Sequence, residues 1–316
     1  MSNISFTGQT VVVTGAGNGL GRSYALDFAR RGANVVVNDL GTSVAGVGAS
    51  QSAADKVVAE IRAAGGSAVA SYASVASSAG ADSIIRTAVD TFGRVDAVIN
   101  NAGIIRASAF ENVPDEDLDI LLDVHLKGSL YVSRAAYRVM LGQGYGRIVN
   151  TSSAGGMFGD DTMACYGAAK AGILGLTNSI ALAGKPHGIL CNAVGPQAAT
   201  RMGDNIDPET AEKFKALQVL FVNSMSPDFN VPLVVYLASR ECQTTHSFYT
   251  VCGGRFARAF IGLTAGWEGP LDVPPTAEDV QAHFAQIEDR SRYTIPDSVA
   301  GELMERVGAL SSRQQR

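Results

Sequence analysis

The sequence predicts an α/β protein with a Rossmann-like, doubly wound parallel sheet of about seven strands and helices on both faces. Short apolar runs alternate along the chain with longer amphipathic segments, and Gly residues separate them. Several runs, such as VVVTG at residues 11–15 and DAVIN at residues 96–100, are continuously apolar rather than alternating. A strand buried on both faces needs this character, which favours a parallel sheet covered by helices.

The predicted elements alternate in chain order, as the crossover connections of a parallel sheet require. Strands are predicted at residues 10–14, 34–38, 67–72, 95–100, 147–151, 189–194 and 248–252. Helices are predicted at residues 20–31, 51–64, 78–92, 114–141, 163–183 and 227–239, because each segment carries apolar residues three or four positions apart. We therefore expect a ligand crevice at the carboxyl ends of the strands.

The chain is predicted to contain a catalytic domain at residues 1–255 and a smaller extension at residues 256–316. Within the extension, GWEGPLDVPP is typical of a linker, and helices are predicted at residues 276–289 and 297–307. An apolar stripe on the first of these helices contains Val280, Phe284 and Ile287. We expect the extension to pack on the catalytic domain or on a neighbouring subunit.

Composition excludes several classes of protein. Hydrophobic residues make up 46% of the chain and charged residues 17%, which excludes a disordered polypeptide. The net charge is −5 and the basic residues are scattered, so we expect neither nucleic acid nor a membrane as a partner. The four cysteines form no CxxC pair, which argues against a metal site. The start of the chain lacks a signal-peptide pattern.

A glycine-rich turn follows the first predicted strand, in the sequence TGAGNGLG at residues 14–21. This sequence fits TGxxxGxG rather than the general GxGxxG fingerprint. Residues without a Cβ let the backbone turn tightly and approach a pyrophosphate at the N-terminus of a helix. The predicted cofactor contacts in this turn are Gly15, Asn18, Gly19, Leu20 and Gly21. The alternative is a turn that is purely structural.

Asp39 ends the second predicted strand, close to the offset of roughly 20 residues at which an acidic side chain meets the adenine ribose. A carboxylate there accepts hydrogen bonds from the ribose hydroxyls and repels a 2′-phosphate. Residues 34–50 contain no Arg or Lys. The sequence therefore favours NAD over NADP, the alternative being an Asp that merely ends the strand.

Ser153, Tyr166 and Lys170 follow the predicted strand at residues 147–151. Positions four apart lie on one helix face, so Tyr166 and Lys170 are expected to line the same cleft. Hydride transfer from carbon needs a base at oxygen, and a phenolate can serve once its pKa falls below about 10. A Lys ammonium about 4 Å away contributes on the order of 4 kcal/mol, enough for the required shift. Ser153 would stabilise charge on the substrate oxygen.

The order and spacing of these motifs, with NNAG at residues 100–103, resemble the short-chain dehydrogenase/reductase family over roughly residues 7–252. Without that combination, a YxxxK match would be a core Tyr beside a solvated Lys. The resemblance implies that Asn101 contacts NAD on its adenosine side and that Gly103 also contacts the cofactor. It also implies that Tyr166 and Lys170 contact the nicotinamide ribose and that Lys170 continues a proton relay. Family members pair through their long helices, which implies a homodimer or homotetramer.

The chain departs from the family pattern at two positions. His125 in VHLKG replaces the usual Asn, and Pro196 is followed by Gln rather than Gly. With the long loop after Asp39, these features resemble the branch that oxidises (3R)-3-hydroxyacyl-CoA with NAD, some members of which also oxidise 17β-hydroxysteroids. This resemblance implies a set of further NAD contacts. They are Ser74, Val75, Pro196, Ala198 and Thr200.

The role of His125 has two interpretations. Its imidazole could hold the relay water that Asn would otherwise position, and it titrates near neutrality. Alternatively, it is a structural helix residue. Three other histidines show no ligand spacing and receive no predicted role: His187, His246 and His283.

The substrate pocket is expected between the sixth strand and the helix at residue 227. Residues 200–223 contain four apolar side chains that could enclose a lipid-like chain, or could form an ordinary amphipathic helix: Phe214, Leu217, Leu220 and Phe221. Three cations are candidates for contacts with CoA phosphates: Arg201, Arg255 and Arg258. We therefore expect a small-molecule substrate, either an acyl-CoA or a steroid.

Two other functions compete with 3-hydroxyacyl-CoA oxidation. One is a dehydrogenase of 17β-hydroxysteroids or other secondary alcohols, which would use the same residues. The other is a nicotinamide-sensing binding protein, which would gain nothing from an intact Ser153, Tyr166 and Lys170. The chain stops at RQQR, without the targeting tripeptide or fused domains of the peroxisomal relatives, which favours a stand-alone cytoplasmic enzyme.

Overall fold

A computed structural model describes residues 4–43, 45–48, 50–198 and 224–314, with side chains as far as residue 307. The chain divides into two compact units, Met1–Arg258 and Ala259–Arg316. The expected packing of the extension on the catalytic domain or on a neighbouring subunit stays a prediction. Among the described residues, no helix combines the length and the apolar character that crossing a bilayer requires.

The first unit is built on an eight-stranded sheet. Its strands are β1 Thr10–Thr14, β2 Asn34–Asn38, β3 Ser67–Ser71, β4 Ala97–Asn100, β5 Gly146–Thr151, β6 Ile189–Pro196, β7 Ser247–Cys252 and β8 Arg255–Ala259. Their order is β3-β2-β1-β4-β5-β6-β7-β8, and the pairs from β3 through to β7 are parallel. The predicted Rossmann-like parallel sheet is confirmed. The strand order reverses between β1 and β4, which is where such sheets bind ligands.

Helices cover both faces of this sheet. They are α1 Gly19–Arg30, α2 Ser52–Ala63, α3 Ser78–Phe92, α4 Asp115–Leu121, a π-helical segment Leu122–Lys127, α5 Gly128–Gln143, α6 Ala154–Phe158, α7 Ala164–Gly184 and α8 Val231–Ala238. Short 3-10 turns lie at Phe110–Asn112, Lys185–His187 and Pro227–Phe229. The boundaries have local causes. At α3, for example, the Ser77 side chain accepts a hydrogen bond from the Gly80 amide and so caps the start.

The apolar runs supply two cores, one on each face of the sheet. Successive side chains of a strand point to opposite faces. Accordingly, Val11 and Val13 of β1 join the apolar cluster formed with α1, α2 and α8. Val12, between them, joins the cluster formed with α3 and α5. This double burial is the reason that β1 is continuously apolar.

Three predicted elements have different limits in the structure. The predicted helix at 114–141 contains the π-helical segment, an interruption that the spacing of apolar residues does not reveal. The predicted strand at 95–100 begins only at Ala97, because the backbone of Val95 is hydrogen-bonded to a side chain instead of a neighbouring strand. The Val95 amide donates to Gln143 Oε1 at 3.0 Å, and Gln143 Nε2 donates to the Val95 carbonyl at 2.7 Å. The predicted helix at 227–239 begins with a separate 3-10 turn before α8.

Strand β8 is absent from the sequence-based prediction. It follows β7 after only two residues, a connection that suits an antiparallel neighbour rather than a parallel one. Strand β8 is also mostly exposed, so it lacks the continuous apolar character that identified the other strands.

The second unit has small elements of its own: β9 Leu263–Thr264, α9 Ala277–Ile287, β10 Tyr293–Thr294 and α10 Val299–Gln314. Strands β9 and β10 pair antiparallel. A capping box between Thr276 and Asp279 starts α9. The Trp267 indole of the predicted linker stacks on His283 with ring centroids 4.3 Å apart, so this linker is packed within the unit.

Candidate active site

A cavity of about 320 Å³ lies at the carboxyl ends of β1, β2 and β4. Its lining contains these predicted cofactor residues: Gly15, Asn18, Gly19, Leu20, Asp39, Ser74, Val75, Asn101 and Gly103. A second part of the lining was not predicted from the sequence. Thr42, Ser43 and Gly46 come from the loop after β2, whose unusual length was the available signal, and Ile104 and Ile120 come from the opposite side.

The glycine-rich turn is locked by Asn101. The Asn101 side-chain amide donates to the carbonyls of Thr14 and Gly15, at 3.0 and 3.1 Å. A Cβ at Gly21 would lie 2.2 Å from the Gly15 carbonyl oxygen and 2.6 Å from Asn101 Nδ2. Gly21 does not line the cavity, but a side chain there would disrupt the turn. Because Asn18 makes no side-chain cap, the turn leaves the N-terminus of α1 open to an anionic group.

The Asp39 carboxylate is fixed at the end of β2. Its Oδ2 accepts a hydrogen bond from the Gly17 amide at 2.8 Å, and its Oδ1 accepts one from the Gly41 amide at 2.7 Å. The residue is buried and lines the cavity. Carboxylate oxygens can accept several hydrogen bonds each, so both retain capacity for ribose hydroxyls. This donor and acceptor set, next to the N-terminus of α1, fits a dinucleotide.

Ser153, Tyr166 and Lys170 meet at the carboxyl end of β5. Lys170 Nζ lies 5.5 Å from the centroid of the Tyr166 ring and donates to the Thr151 carbonyl at 2.7 Å. Ser152 donates to the Lys170 carbonyl at 2.8 Å, which ties α7 to the end of this strand. Ser153 caps the start of α6. The structure therefore brings the three predicted catalytic residues together.

Burial dominates the electrostatics of this group. Burial raises the pKa of Tyr166, and a hydrogen bond from Ser153 lowers it in part. Burial also lowers the pKa of Lys170 from 10.5 to about 7. The pKa of Tyr166 reflects burial and the Ser153 bond, so the expectation that the Lys170 ammonium makes the phenol acidic stays a prediction. The amine is held by Thr151 and carries only part of its charge near neutral pH.

His125 lies beside Tyr166 in the π-helical segment. The two rings meet edge to face, with centroids 5.3 Å apart and an interplanar angle of 89°. His125 Nε2 lies 2.8 Å from the Ile104 carbonyl oxygen, whereas Nδ1 is buried and has no hydrogen-bond partner among the described residues. Burial, followed by the nearby Lys170, holds the pKa of His125 well below its usual range. The imidazole is therefore neutral at pH 7.

Gly103 makes room for this histidine. A Cβ at Gly103 would lie 2.6 Å from His125 Cε1. The bond to Ile104 supports the structural interpretation of His125, and the unpartnered Nδ1 beside Tyr166 supports the relay interpretation. Both interpretations remain open.

Five predicted cofactor residues within the described ranges lie apart from the cavity lining: Gly21, Tyr166, Lys170, Pro196 and Ala198. Pro196 ends β6, and Ala198 follows Gln197, whose amide donates to the Val251 carbonyl at 2.9 Å. Thr200 lies outside the described residues, as do Arg201 and the predicted lid at 200–223.

The two remaining candidates for phosphate contacts are exposed on β8. They are separated by an odd number of positions, so they point to opposite faces of the strand. Arg255 and Arg258 therefore do not converge on one point, and their contacts with CoA phosphates stay a prediction.

Polar groups beneath the site were also missed. The Thr14 hydroxyl accepts from the backbone amides of Asn101 and Ala102, at 3.0 and 3.1 Å. Asn100 donates to Asn150 at 2.8 Å, and Asn150 donates to Thr177 of α7 at 2.9 Å. These bonds hold β4, β5 and α7 in register beneath the reacting groups. The Asn residues could have been noticed as polar residues within otherwise apolar strands.

Comparisons with known proteins agree with this geometry. A family model described as short chain dehydrogenase matches residues 9–211. The chain is 44% identical over 305 residues to peroxisomal multifunctional enzyme type 2 of Mus musculus, a match covering 94% of this chain and 39% of that protein. It is 46% identical over 284 residues to a putative short-chain type dehydrogenase/reductase of Mycobacterium tuberculosis, covering 90% of this chain and 95% of that protein.

A solved structure is also similar. The full-length peroxisomal multifunctional enzyme type 2 from Drosophila melanogaster matches with a TM-score of 0.79 at 34% identity, covering 98% of this chain and 50% of that one. The chain thus spans 39% of the Mus musculus enzyme, 50% of the Drosophila melanogaster enzyme and 95% of the mycobacterial protein. The family resemblance is confirmed: the chain belongs to the short-chain dehydrogenase family, and is an NAD(P)-type oxidoreductase acting on CH–OH groups.

Proposed function

We propose that the protein oxidises a 3-hydroxyacyl-CoA, in the 3R configuration and with a fatty or steroid side chain, to the 3-oxoacyl-CoA with NAD. The observation that carries this proposal is the meeting of Ser153, Tyr166 and Lys170 at the end of β5. The substrate class rests on the resemblance of VHLKG and the loop after β2, and on relatives named peroxisomal multifunctional enzyme type 2.

The catalytic roles follow from the positions of the side chains. Bound NAD⁺ supplies the hydride acceptor and a positive charge. Tyr166 passes its own phenol proton to the relay, and the resulting phenolate oxygen takes the proton of the substrate hydroxyl, while the Ser153 hydroxyl donates to the same substrate oxygen. Lys170, with a pKa of about 7, can take up and release that proton near neutrality. When Nε2 of the neutral His125 donates to the Ile104 carbonyl, its Nδ1 is an acceptor that could hold a water of this relay.

The preference for NAD rests on Asp39. Its carboxylate is oriented by two backbone amides at the wall of the cavity. A 2′-phosphate at this position would meet a fixed negative charge of the same sign. The two hydrogen bonds from the backbone amides oppose rotation of the Asp39 side chain away from the cavity. NAD is therefore favoured over NADP.

A homodimer or homotetramer is part of the proposal. Leu130 and Leu141 of α5 and Leu182 of α7 are large apolar residues that remain exposed on the long helices. These are the helices through which family members pair, by the resemblance described above. Several relatives are named peroxisomal, so a cytoplasmic location stays a prediction.

The alternative substrate is a 17β-hydroxysteroid or another secondary alcohol, and the non-enzyme alternative is a nicotinamide sensor. A panel assay separates them. NADH absorbance would be followed with (3R)- and (3S)-3-hydroxyacyl-CoA esters of several lengths, with steroid alcohols, and with NADP replacing NAD. The proposal predicts turnover of the 3R esters with NAD. Turnover of steroid alcohols alone, or cofactor binding without any turnover, would contradict it.

A further inference from the structure

The loop after β2 reaches across the cavity to its far wall. This loop, named here the β2 loop, consists of the described residues 40–43 and 45–48. Gly46 lines the cavity, and a Cβ on it would lie 3.3 Å from Ile104 Cδ1 and 3.4 Å from Ile120 Cδ1. Ile104 follows β4 and Ile120 belongs to α4. The tip of the β2 loop therefore touches the opposite side of the cavity.

Arg106 joins this tip to α4. Its Nη2 donates to the Ala45 carbonyl at 3.3 Å, and its Nη1 donates to Asp117 Oδ1 at 2.5 Å. Asp117 is buried in the first turn of α4, and the Arg106 side chain is about one quarter exposed. A partly buried, charge-assisted bond of this kind is stronger than a surface ion pair. The planar guanidinium can serve both acceptors at once.

Hydrogen bonds within the β2 loop connect the residue held by Arg106 to the rest of the loop. The Ser43 amide donates to the Val47 carbonyl at 2.8 Å, and the Gly46 amide donates to the Ser43 carbonyl at 3.0 Å, so Ser43 is bonded to both Gly46 and Val47. At its start, the Gly41 amide donates to Asp39. The loop is thus fixed at one end by Asp39 and across the cavity by Arg106.

We propose that Arg106 is a positioning residue that clamps the β2 loop over the dinucleotide and slows its release. The proposal rests on the proposed NAD-dependent function, because it takes NAD as the molecule enclosed. Arg106 itself does not line the cavity; it acts through Ala45 and Asp117. Loss of one such bond is expected to raise the dissociation rate of the dinucleotide about tenfold, with little change in its association rate.

The test compares Arg106→Lys with Arg94→Lys. A Lys at 106 can still pair with Asp117, but its single ammonium cannot serve the Ala45 carbonyl with the same fork. Arg94 also binds a buried carboxylate, that of Asp96, through two hydrogen bonds of 2.6 Å. The Asp96 carboxylate accepts a further hydrogen bond from a backbone amide of β1, and both residues lie outside the cavity lining. This control removes the same type of fork without touching the β2 loop. Asp117→Asn, which keeps the shape of the acceptor, serves as a second test variant.

Two measurements are made on each folded variant. Hydrogen exchange of the cofactor-free protein is expected to be faster in the β2 loop for Arg106→Lys and Asp117→Asn, and unchanged there for Arg94→Lys. Stopped-flow displacement of NADH is expected to give about tenfold faster release for the same two variants. Equal loop exchange and equal release in all variants would overturn the clamp. If the parent chain bound no NADH, the proposed function would fail, and the exchange measurement alone would still decide whether the clamp exists.

Discussion

Lys170 donates a hydrogen bond from Nζ to the Thr151 carbonyl at 2.7 Å, which fixes its amine at the end of β5 beside Tyr166. The amine is buried, and its pKa is lowered to about 7. Lys170 is therefore a group whose proton is exchangeable near neutral pH, rather than a permanent cation. This makes it better suited to pass a proton onward than to acidify the phenol by charge alone.

The lowered pKa of Lys170 predicts a pH dependence of stability. Below about pH 7 the folded and unfolded chains both carry the proton, so this group adds no pH dependence. Between about 7 and 10.5 only the unfolded chain binds it, so raising the pH favours the folded state. Relative to Lys170→Met, the parent should gain up to about 1.4 kcal/mol per pH unit in this window.

Urea unfolding of parent and Lys170→Met across this pH range checks the slope, because titration of all other groups cancels in the difference. If the difference in unfolding free energy between the two proteins did not change with pH, Lys170 would have the same pKa in the folded and unfolded chains. Such a result would remove the proposed role of Lys170 as a group that exchanges its proton near neutrality.

Ser153 should set the pH at which the enzyme becomes active. Its hydrogen bond lowers the pKa of Tyr166, which burial raises. Replacing Ser153 with Ala removes that bond, so the pKa of Tyr166 should rise further. We expect the rise of kcat/KM with pH to move upward by about one pH unit, together with a loss of rate.

The matched control is Ser179→Ala. Ser179 lies on α7, the helix that carries Tyr166, but it is exposed and its hydroxyl donates only to the Gly175 carbonyl among the bonds described. Its pH profile should coincide with that of the parent. If Ser153→Ala also kept the parent profile, Ser153 would not be bonded to the reacting phenol.

Asp39 should control the choice between NAD and NADP. Asp39→Asn keeps an oxygen for one backbone amide but removes the negative charge that opposes a 2′-phosphate. We expect kcat/KM with NADP to rise relative to NAD by about tenfold or more, which corresponds to about 1.4 kcal/mol. Steady-state kinetics with each cofactor measure this ratio.

Asp123 provides the comparison for that substitution. It also lines the cavity with a carboxylate, and it belongs to the π-helical segment on the other side. Asp123→Asn should leave the cofactor ratio near that of the parent. Equal ratios for the two variants would mean that general charge in the cavity, and not Asp39, selects the cofactor.

His125 can be tested by rescue. His125→Asn supplies a side chain that can donate to Ile104 and accept a hydrogen bond, whereas His125→Ala can do neither. If the imidazole holds a relay water, Asn should retain measurable turnover, about a tenth of parent or more, and Ala should fall well below it. Equal kcat in the Asn and Ala variants would favour the structural interpretation.

The sheet could be predicted well because short stretches of consecutive residues identify its strands. The triple Val of β1 must be apolar on both faces, and the glycine turn must follow it. Strand β8 escaped prediction because an exposed edge strand need not be apolar. The π-helical segment that contains His125 was not predicted, because the contacts of this ring with Gly103 and Ile104 join positions about twenty residues apart, which no local pattern reports.

The candidate site was predicted in its parts but not in its electrostatics. The spacing of four residues predicts that Tyr166 and Lys170 lie on one face of α7. In the structure, Lys170 Nζ lies 5.5 Å from the centroid of the Tyr166 ring. Spacing does not report the depth of burial, and burial decides the charge of Lys170. The link between Arg106 and the β2 loop joins positions far apart in the chain, so no local pattern could reveal it.

The most direct test of the account is the rate of NADH formation by Tyr166→Phe with a 3-hydroxyacyl-CoA that the parent oxidises. Phe fills the same space and keeps the edge contact with His125, but it lacks the oxygen that takes the proton. NAD binding, measured separately by calorimetry, should stay within a few fold of parent. We expect a fall in kcat of roughly 10³-fold or more, because the base at the substrate oxygen is lost. Turnover comparable to the parent would contradict it.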